Sequence, residues 1–203
     1  MYNEEFIMYN FEQDMKSFIN QNDVKEALLK DDIQRVYEIR RLSSGAIPKL
    51  TEFFVKYCNI EPLNFFTYIP PYYAYATDLY TGKLVLPDIR GIKYEAFTRN
   101  INLEEVFVPE SCDYLEEGIF NHCIGLRKIT FAGKIKRLPT GIFAECTSLE
   151  EVHLPSSCVK FDKQVFPGTV IPIKVIYDNG IPDNLRIPSD EIEFYQKNIQ
   201  IVE

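Results

Sequence analysis

The chain has 203 residues, of which 46% are hydrophobic and 26% are charged, so it can bury a continuous core without disulfides or metals. Its formal net charge is −8, and it contains no long run of Lys or Arg. A nucleic-acid groove or an anionic membrane surface would need a basic stripe, so the charge argues against both as partners. The acidic excess is spread over the whole chain, which gives little support to nucleic-acid mimicry.

The N-terminus and the cysteine count bear on location. Glu4 and Glu5 lie where a secretion signal carries basic residues, and no uninterrupted apolar segment follows them. No part of the sequence approaches the roughly 18 apolar residues of a membrane span. The number of cysteines is odd, and they are Cys58, Cys112, Cys123, Cys146 and Cys158. An odd count without a signal favours a reducing compartment, so we expect a cytoplasmic protein.

Helical patterns occupy the first 66 residues. Apolar residues recur at helical spacing in three segments, 24–28, 33–37 and 50–57. Asp23 is placed to cap the first of these helices, and Asp31 or Asp32 can start the second. This part of the chain is therefore predicted to be helical.

The same apolar columns recur every 23 residues farther along the chain. One column is Phe97, Phe120, Phe143 and Phe166, and a second is Ile92, Leu115, Leu138 and Phe161. The other three are Leu103, Leu126 and Leu149, then Val106, Ile129, Val152 and Val175, then Val108, Phe131, Leu154 and Tyr177. A fixed period of this length is the signature of a solenoid built from stacked units.

An upstream unit fits the same register with a shift of one residue. Tyr75 lies 22 residues before Phe97, and Leu84 lies 22 residues before Val106. This gives about five units between residues 67 and 180. Each unit contains a short alternating strand, whose period of two directs every second side chain inward. The strands of successive units are predicted to stack into a parallel sheet.

The remainder of each unit is too short for a long helix. Leu115, Ile119 and Phe120 suit a helical turn on the convex side of a solenoid. Gly118 and Gly141 recur two residues before a phenylalanine, where a chain bend or a close backbone approach is expected.

The repeat motif resembles a known family. The segments GIKYEAFTRNINLEEVFVP (91–109) and GIFAECTSLEEVHLP (141–155) share an isoleucine or phenylalanine core, a leucine and a strand that ends in proline. This pattern resembles the BspA-like (treponemal) class of leucine-rich repeat. Similar repeats occur on bacterial and protist surface proteins and in phage-encoded proteins, so the resemblance implies recognition and names no partner. Two units depart from the pattern: the third has FAG in place of the proline, and the fifth lacks the cysteine and the regular leucine.

The predicted fold is α/β: a short leucine-rich-repeat solenoid of about five 23-residue units, with a parallel sheet and an N-terminal helical cap domain. A solenoid exposes apolar faces at both ends, and these must be capped. We assign residues 1–66 to the helical cap, 67–180 to the repeats and 181–203 to a C-terminal cap. Phe65 and its aromatic neighbours are expected to join the helical cap to the first repeat, and Ser189 to cap a short helix in the tail.

The outward positions of the predicted strands form two rows. The charged row alternates in sign and consists of Lys83, Glu105, Lys128, Glu151 and Lys174. The second row is Val85, Phe107, Thr130, His153 and Ile176, three of which are apolar on a face that should contact solvent. The charged row has two interpretations, a ladder that fixes strand register and a surface read by a partner. The second row is either a binding surface or is covered by another part of the chain. Both rows form the candidate protein-binding face.

No catalytic, metal or cofactor site is predicted. Cys123 and Cys146 share one repeat column, and Cys112 and Cys158 share another, which is the behaviour of structural positions rather than of a nucleophile. The two histidines match no zinc-ligand spacing. Motifs that bind nucleotides or hold a serine nucleophile or zinc are absent from the sequence.

We therefore expect a non-enzymatic protein-protein interaction module that binds a protein partner, with a phage protein engaging a host or viral protein as one origin. The alternatives are a structural virion component, a self-assembling oligomer and an adhesin-type surface recognition protein. The sequence leaves the oligomeric state open.

Overall fold

The computed structural model describes residues 22–30, 35–37, 46–57, 61–169 and 172–203. The chain divides into two compact units, residues 1–65 and residues 66–203. No helix in the described ranges is long and apolar enough to cross a membrane.

The first unit is helical where the structure describes it. Helix α1 is Asn22–Leu29, and helix α2 is Ala46–Glu52, which continues as a π-helical turn over Phe53–Tyr57. A 3₁₀ turn over Pro62–Phe65 follows. Asp23 was expected to cap α1, but it lies inside the first turn of the helix, because α1 begins at Asn22.

Apolar side chains that recur at helical spacing in the first unit are buried, as the sequence predicts. Val24 and Ala27 of α1 are buried, and so are Leu50 and Phe54. The Tyr37 ring stacks on the Phe54 ring with centroids 6.1 Å apart. Asp31 and Asp32, with the start of the second predicted helix, lie outside the described residues. The role of this unit as a cap stays a prediction.

The second unit is a solenoid whose principal sheet has six parallel strands. The strands of the second unit are β1 (Tyr68–Ile69), β2 (Gly82–Val85), β3 (Gly91–Ile92), β4 (Leu103–Val108), β5 (Tyr114–Leu115), β6 (Lys128–Phe131), β7 (Arg137–Leu138), β8 (Glu151–Leu154), β9 (Lys160–Phe161), β10 (Ile173–Tyr177) and β11 (Ile199–Val202). The principal sheet runs in the order β11, β10, β8, β6, β4, β2. The short strands form a second ladder in two pieces, β1-β3-β5 and β7-β9. The solenoid is confirmed, with six turns rather than the five expected.

Residues that are 23 positions apart in the sequence are register partners in neighbouring strands of the sheet. Val106 pairs with Ile129, and Ile129 pairs with Val152. Leu84 pairs with Val106 at the predicted spacing of 22, and a register irregularity lies between Gly82 and Lys83. Inward residues of each strand are buried, whereas outward residues retain exposure.

A spine of aromatic rings runs through the core. Its four phenylalanines stack in sequence, with centroids 5.7 Å, 6.3 Å and 5.5 Å apart, and they are Phe97, Phe120, Phe143 and Phe166. Tyr195 continues the spine in the last turn, with its ring centroid 6.1 Å from that of Phe166. These rings are almost completely buried, so the repeated phenylalanine packs each unit against the next.

Tyr75 does not occupy the phenylalanine column of the first unit, which corrects the predicted alignment. The Ala74 N–H donates to Ala96 O, as the Phe97 N–H donates to Ile119 O, so Ala74 holds that position at a spacing of 23. The space that its small side chain leaves is filled by Tyr73 and Tyr80, whose rings lie 6.0 Å and 5.9 Å from the Phe97 ring. The one-residue shift therefore falls between the turn and strand β2.

The segment that contains each phenylalanine is a series of hydrogen-bonded turns, not the predicted helical turn. Two positions in each turn have positive φ, which interrupts right-handed helix. The first column is Tyr72, Glu95, Gly118, Gly141 and Gln164, and the second is Ala76, Arg99, His122, Glu145 and Gly168. The bend expected at Gly118 and Gly141 is confirmed, with φ of 65° and 64°.

The tail adds a strand to the sheet. Helix α3 is Ile192–Asn198, and β11 follows it directly and pairs in parallel with β10. The helix cap position is Glu191 and makes no side-chain capping hydrogen bond, so the assignment of the cap to Ser189 is wrong. Instead, the Glu191 carboxylate accepts a hydrogen bond from the Gln164 N–H of the preceding turn.

Candidate protein-binding face

The charged row lies in register across the sheet. Lys83 pairs with Glu105, Glu105 with Lys128, and Lys128 with Glu151, and Lys174 lies beside Glu151 on its other side. Lys83 Nζ lies 3.6 Å from Glu105 Oε2, and Lys128 Nζ lies 3.0 Å from Glu151 Oε2. Such exposed pairs stabilise a fold by at most about 1 kcal/mol each. Because the pairs are weak, a partner can contact these charged side chains at little cost to the fold.

Glu151 is the carboxylate of this row that contacts both a lysine and the histidine. Hydrogen bonds from Lys128 and then from His153 hold the pKa of Glu151 below its ordinary value. His153 lies between two carboxylates, with Nδ1 3.1 Å from Asp178 Oδ1 and Nε2 3.4 Å from Glu151 Oε2. These contacts fix the imidazole in the middle of the face.

The second row also lies in register, and it extends one position farther than the sequence indicated. Val85 pairs with Phe107, Phe107 with Thr130, and Thr130 with His153. Ile176 lies beside His153 and pairs on its other side with Val202, which strand β11 contributes. Isoleucine alternates with glutamine from Ile199 to Ile201, which is a strand pattern. The segment is only four residues long, too short for the pattern to predict a strand by itself.

Exposed apolar surface is concentrated at the two ends of the second row. Val85 is 59% exposed and Phe107 37%, whereas Val202 is 38% exposed at the far end. Between them, Thr130, His153 and Ile176 are half-buried. The face therefore has two apolar ends around a centre formed by the histidine and its carboxylates.

Cys123 and Cys146 belong to a column of side chains that donate to main-chain carbonyls at the end of each turn. The column is Thr77, Asn100, Cys123, Cys146 and Thr169. Cys123 Sγ lies 3.1 Å from Phe97 O, and Cys146 Sγ lies 3.0 Å from Phe120 O. A thiol in this column thus bonds to the turn of the preceding unit, which is the structural role that its repetition predicts.

The described thiols are buried and not poised for nucleophilic chemistry. Burial raises the pKa of Cys112 to about 11 and the pKa values of Cys123 and Cys158 to about 12. Burial also raises the pKa of Cys146 well above its ordinary value. At neutral pH these groups are protonated, whereas a nucleophilic cysteine needs its thiolate.

The second histidine lies away from this face. His122 has positive φ in a turn, and its Nδ1 lies 2.6 Å from Asn121 Oδ1. Within the described ranges, no three His, Cys, Asp or Glu side chains are grouped to hold a metal ion.

A tyrosine cluster lies on the ladder of short strands, and the sequence analysis did not single it out. The Tyr68 and Tyr114 rings meet edge to face with centroids 6.3 Å apart. Lys93 Nζ lies 5.1 Å and 4.6 Å from these two centroids and 3.1 Å from Glu116 Oε1. The spacing of 46 residues, twice the repeat period, is the signal that places both tyrosines in one column.

Comparison with known proteins assigns the repeats. The model of the BspA type leucine rich repeat region matches residues 67–190 in six copies. The chain belongs to this family. The matched residues contain five strands of the principal sheet, β2, β4, β6, β8 and β10, and end before β11.

Among solved structures, the chain is similar to a leucine rich cell surface protein from Faecalibacterium prausnitzii A2-165. The two share 21% sequence identity, with a TM-score of 0.45. The match covers 59% of this chain and 31% of that protein. No curated protein matches the chain.

Proposed function

We propose that the chain is a protein-binding module that engages its partner through the strand face. The observation that carries this proposal is the apolar end formed by Val85 and Phe107, which are adjacent in register and both more than a third exposed. Exposed apolar groups that lie together, with charges around them, are typical of interaction sites. Membership of a leucine-rich-repeat family supports a binding function, because these repeats build extended recognition surfaces.

The arrangement of the face indicates what it would recognise. Lys83 and Glu105 flank the apolar end, so a partner that places an apolar side chain over Phe107 meets one charge of each sign. The alternating row carries almost no net charge, so it would specify alignment more than it would attract a strongly charged partner. We infer a partner with an apolar anchor and mixed flanking charges.

The test is affinity capture from the native source with matched variants. Phe107→Asp places a charge in the apolar end and is expected to abolish enrichment of the partner. Ile124→Asp is the control, because Ile124 is also exposed and apolar but lies in a turn. Circular dichroism should show that both variants fold. Equal enrichment by both variants would contradict the proposal.

We also propose that the module works in a reducing compartment. Four cysteines, Cys112, Cys123, Cys146 and Cys158, are buried free thiols, and free thiols are typical of proteins that are kept reduced. Fractionation of the native source tests this proposal, since recovery with extracellular material would favour the adhesin-type alternative. A phage origin stays a prediction, and the genes beside the coding sequence test it.

A structural role, as a virion component or a self-assembling oligomer, is the second candidate function. It is favoured by strand β11, which lies at the edge of the principal sheet and contains no charge, proline or register irregularity.

A further inference from the structure

Strand β11 forms one edge of the principal sheet. Its four residues pair with β10 without interruption, from Ile173 opposite Ile199 to Ile176 opposite Val202. Within the described part of the chain, no strand pairs with its other side. The tail that was expected to close the C-terminal edge therefore creates a new edge.

Backbone groups of β11 point outward from this edge. In a parallel ladder, a residue that faces its neighbour bonds to the two residues that flank its register partner. The Lys174 N–H donates to Glu150 O, so the backbone N–H and C=O of Lys174 point toward β8. The backbone N–H and C=O of the next residue, Val175, therefore point toward β11. Val175 is opposite Ile201, so Gln200 and Val202 bond to β10. The N–H and C=O of Ile201 consequently face away from the sheet.

The opposite edge of the same sheet carries features that discourage strand addition. Strand β2 has a charged side chain at Lys83 and a register irregularity between Gly82 and Lys83. Lysines and bulges are the usual protections of natural edge strands. Strand β11 reads Ile-Gln-Ile-Val and has no charge, proline or bulge.

The charged row also stops at β11. Lys174 lies beside Glu151 on one side and beside Gln200 on the other. A glutamate at position 200 would continue the alternation of sign and pair with Lys174, yet the residue there is neutral. The edge strand is thus the one strand of the principal sheet without a charge in this row.

We propose that β11 pairs with β11 of a second copy of the chain, antiparallel about a two-fold axis at Ile201. An unpaired strand edge accepts another strand, because its donors and acceptors are spaced for one. Two Ile201 residues exchange two hydrogen bonds in this register, and the Glu203 N–H of each copy donates to Ile199 O of the other. The Ile199 N–H needs no partner, since it already donates to Tyr195 O.

The two-fold axis joins the second row of one copy to the charged row of the other on the strand face. Gln200 of one copy, which continues the charged row, lies opposite Val202 of the other. An isologous contact of this kind closes as a dimer. Head-to-tail growth would instead join β11 to β2, whose lysine and irregularity oppose it.

The test is sedimentation velocity over a range of protein concentrations. Wild type is expected to shift from monomer to dimer with no larger species, at high concentration because the interface is small. Gln200→Glu is the main variant. It pairs with Lys174 within its own copy, so the fold is kept, but it gathers carboxylates at the two-fold axis. We expect the dimerisation constant to weaken about tenfold, which is about 1.4 kcal/mol, and to recover at high salt.

Two further variants make the outcome decisive. Asn102→Asp is the control, since it makes the same charge change at an exposed position away from the edge, and it should dimerise like wild type. Ile201→Pro removes the outward N–H and is expected to be monomeric, because proline is tolerated where the N–H of an edge strand faces solvent. A wild type that stays monomeric at every concentration, open-ended polymers, or a Gln200→Glu variant that dimerises fully would overturn the proposal.

Discussion

At the scale of single residues, the turn ends depend on side chains that donate to main-chain carbonyls. Asn100 is completely buried and donates to Ala74 O and Phe97 O, which joins the first two turns. The same column uses Cys123 and Cys146 in the next units, so a short donor at this position is a requirement of the repeat. Which donor is used differs from unit to unit.

Asn100→Ala is expected to destabilise the fold by about 1–3 kcal/mol, because it leaves buried carbonyls without a donor. Urea denaturation measures this as a lower midpoint at an unchanged slope. Asn102→Ala is the matched control, and we expect it to change the free energy of unfolding by less than about 0.5 kcal/mol, because Asn102 is exposed. Equal losses in the two variants would show that the column has no special role.

At the scale of the elements, strands were predictable and turns were not. The alternation around Val106 and Val152 is visible in the sequence because burial on one face selects apolar residues at every second position. The positive φ values at Glu95 and Gln164 leave no such signal, since only glycine marks that conformation by residue type. Gly118 was recognised for this reason, and its non-glycine equivalents were missed.

Two glycines are required for different reasons, one for its backbone conformation and the other for a close approach of backbone. Gly141 has φ of 64° with open space around it, so Gly141→Ala should cost about 1 kcal/mol of stability for the left-handed backbone alone. Gly133 lies where an added Cβ would be 1.9 Å from Cys112 O, so Gly133→Ala must displace backbone and should cost about 3 kcal/mol. The free energy of unfolding in urea distinguishes them. A smaller loss at Gly133 than at Gly141 would be inconsistent with this packing.

Gly133 also gives a physical reason for the FAG segment. This unit has Ala132 and then glycine where the units of β2, β4 and β8 have a proline followed by a larger residue. The Ala132 N–H donates to Val108 O, which proline could not do. The loss of the proline at position 132 is therefore compensated by one more backbone hydrogen bond between neighbouring units, and Gly133 lets these two units approach closely.

At the scale of the whole molecule, the repeat period predicted the solenoid but not its last turn. The register step lengthens from 23 to 26 residues between β10 and β11, since Val175 pairs with Ile201. A helix also separates these strands, so the columns no longer align by simple spacing. Tyr195 still continues the phenylalanine spine, because packing selects a ring at that place rather than a position in the sequence.

The candidate face was predictable for the same reason as the strands. Once the register was known, outward positions from Lys83 to Ile176 followed from alternation alone. The contacts of His153 with Asp178, and the addition of Val202, were not predictable, because both depend on side chains beyond the repeat pattern.

Site-specific photocrosslinking from the strand face tests the central claim most directly. A photoreactive phenylalanine at position 107, used in the native source, is expected to give a crosslinked protein that excess wild type competes away and Phe107→Asp does not. The same group at position 124, in an exposed turn, should give no such product. A product that forms equally from both positions, or none from position 107, would contradict a protein-binding strand face.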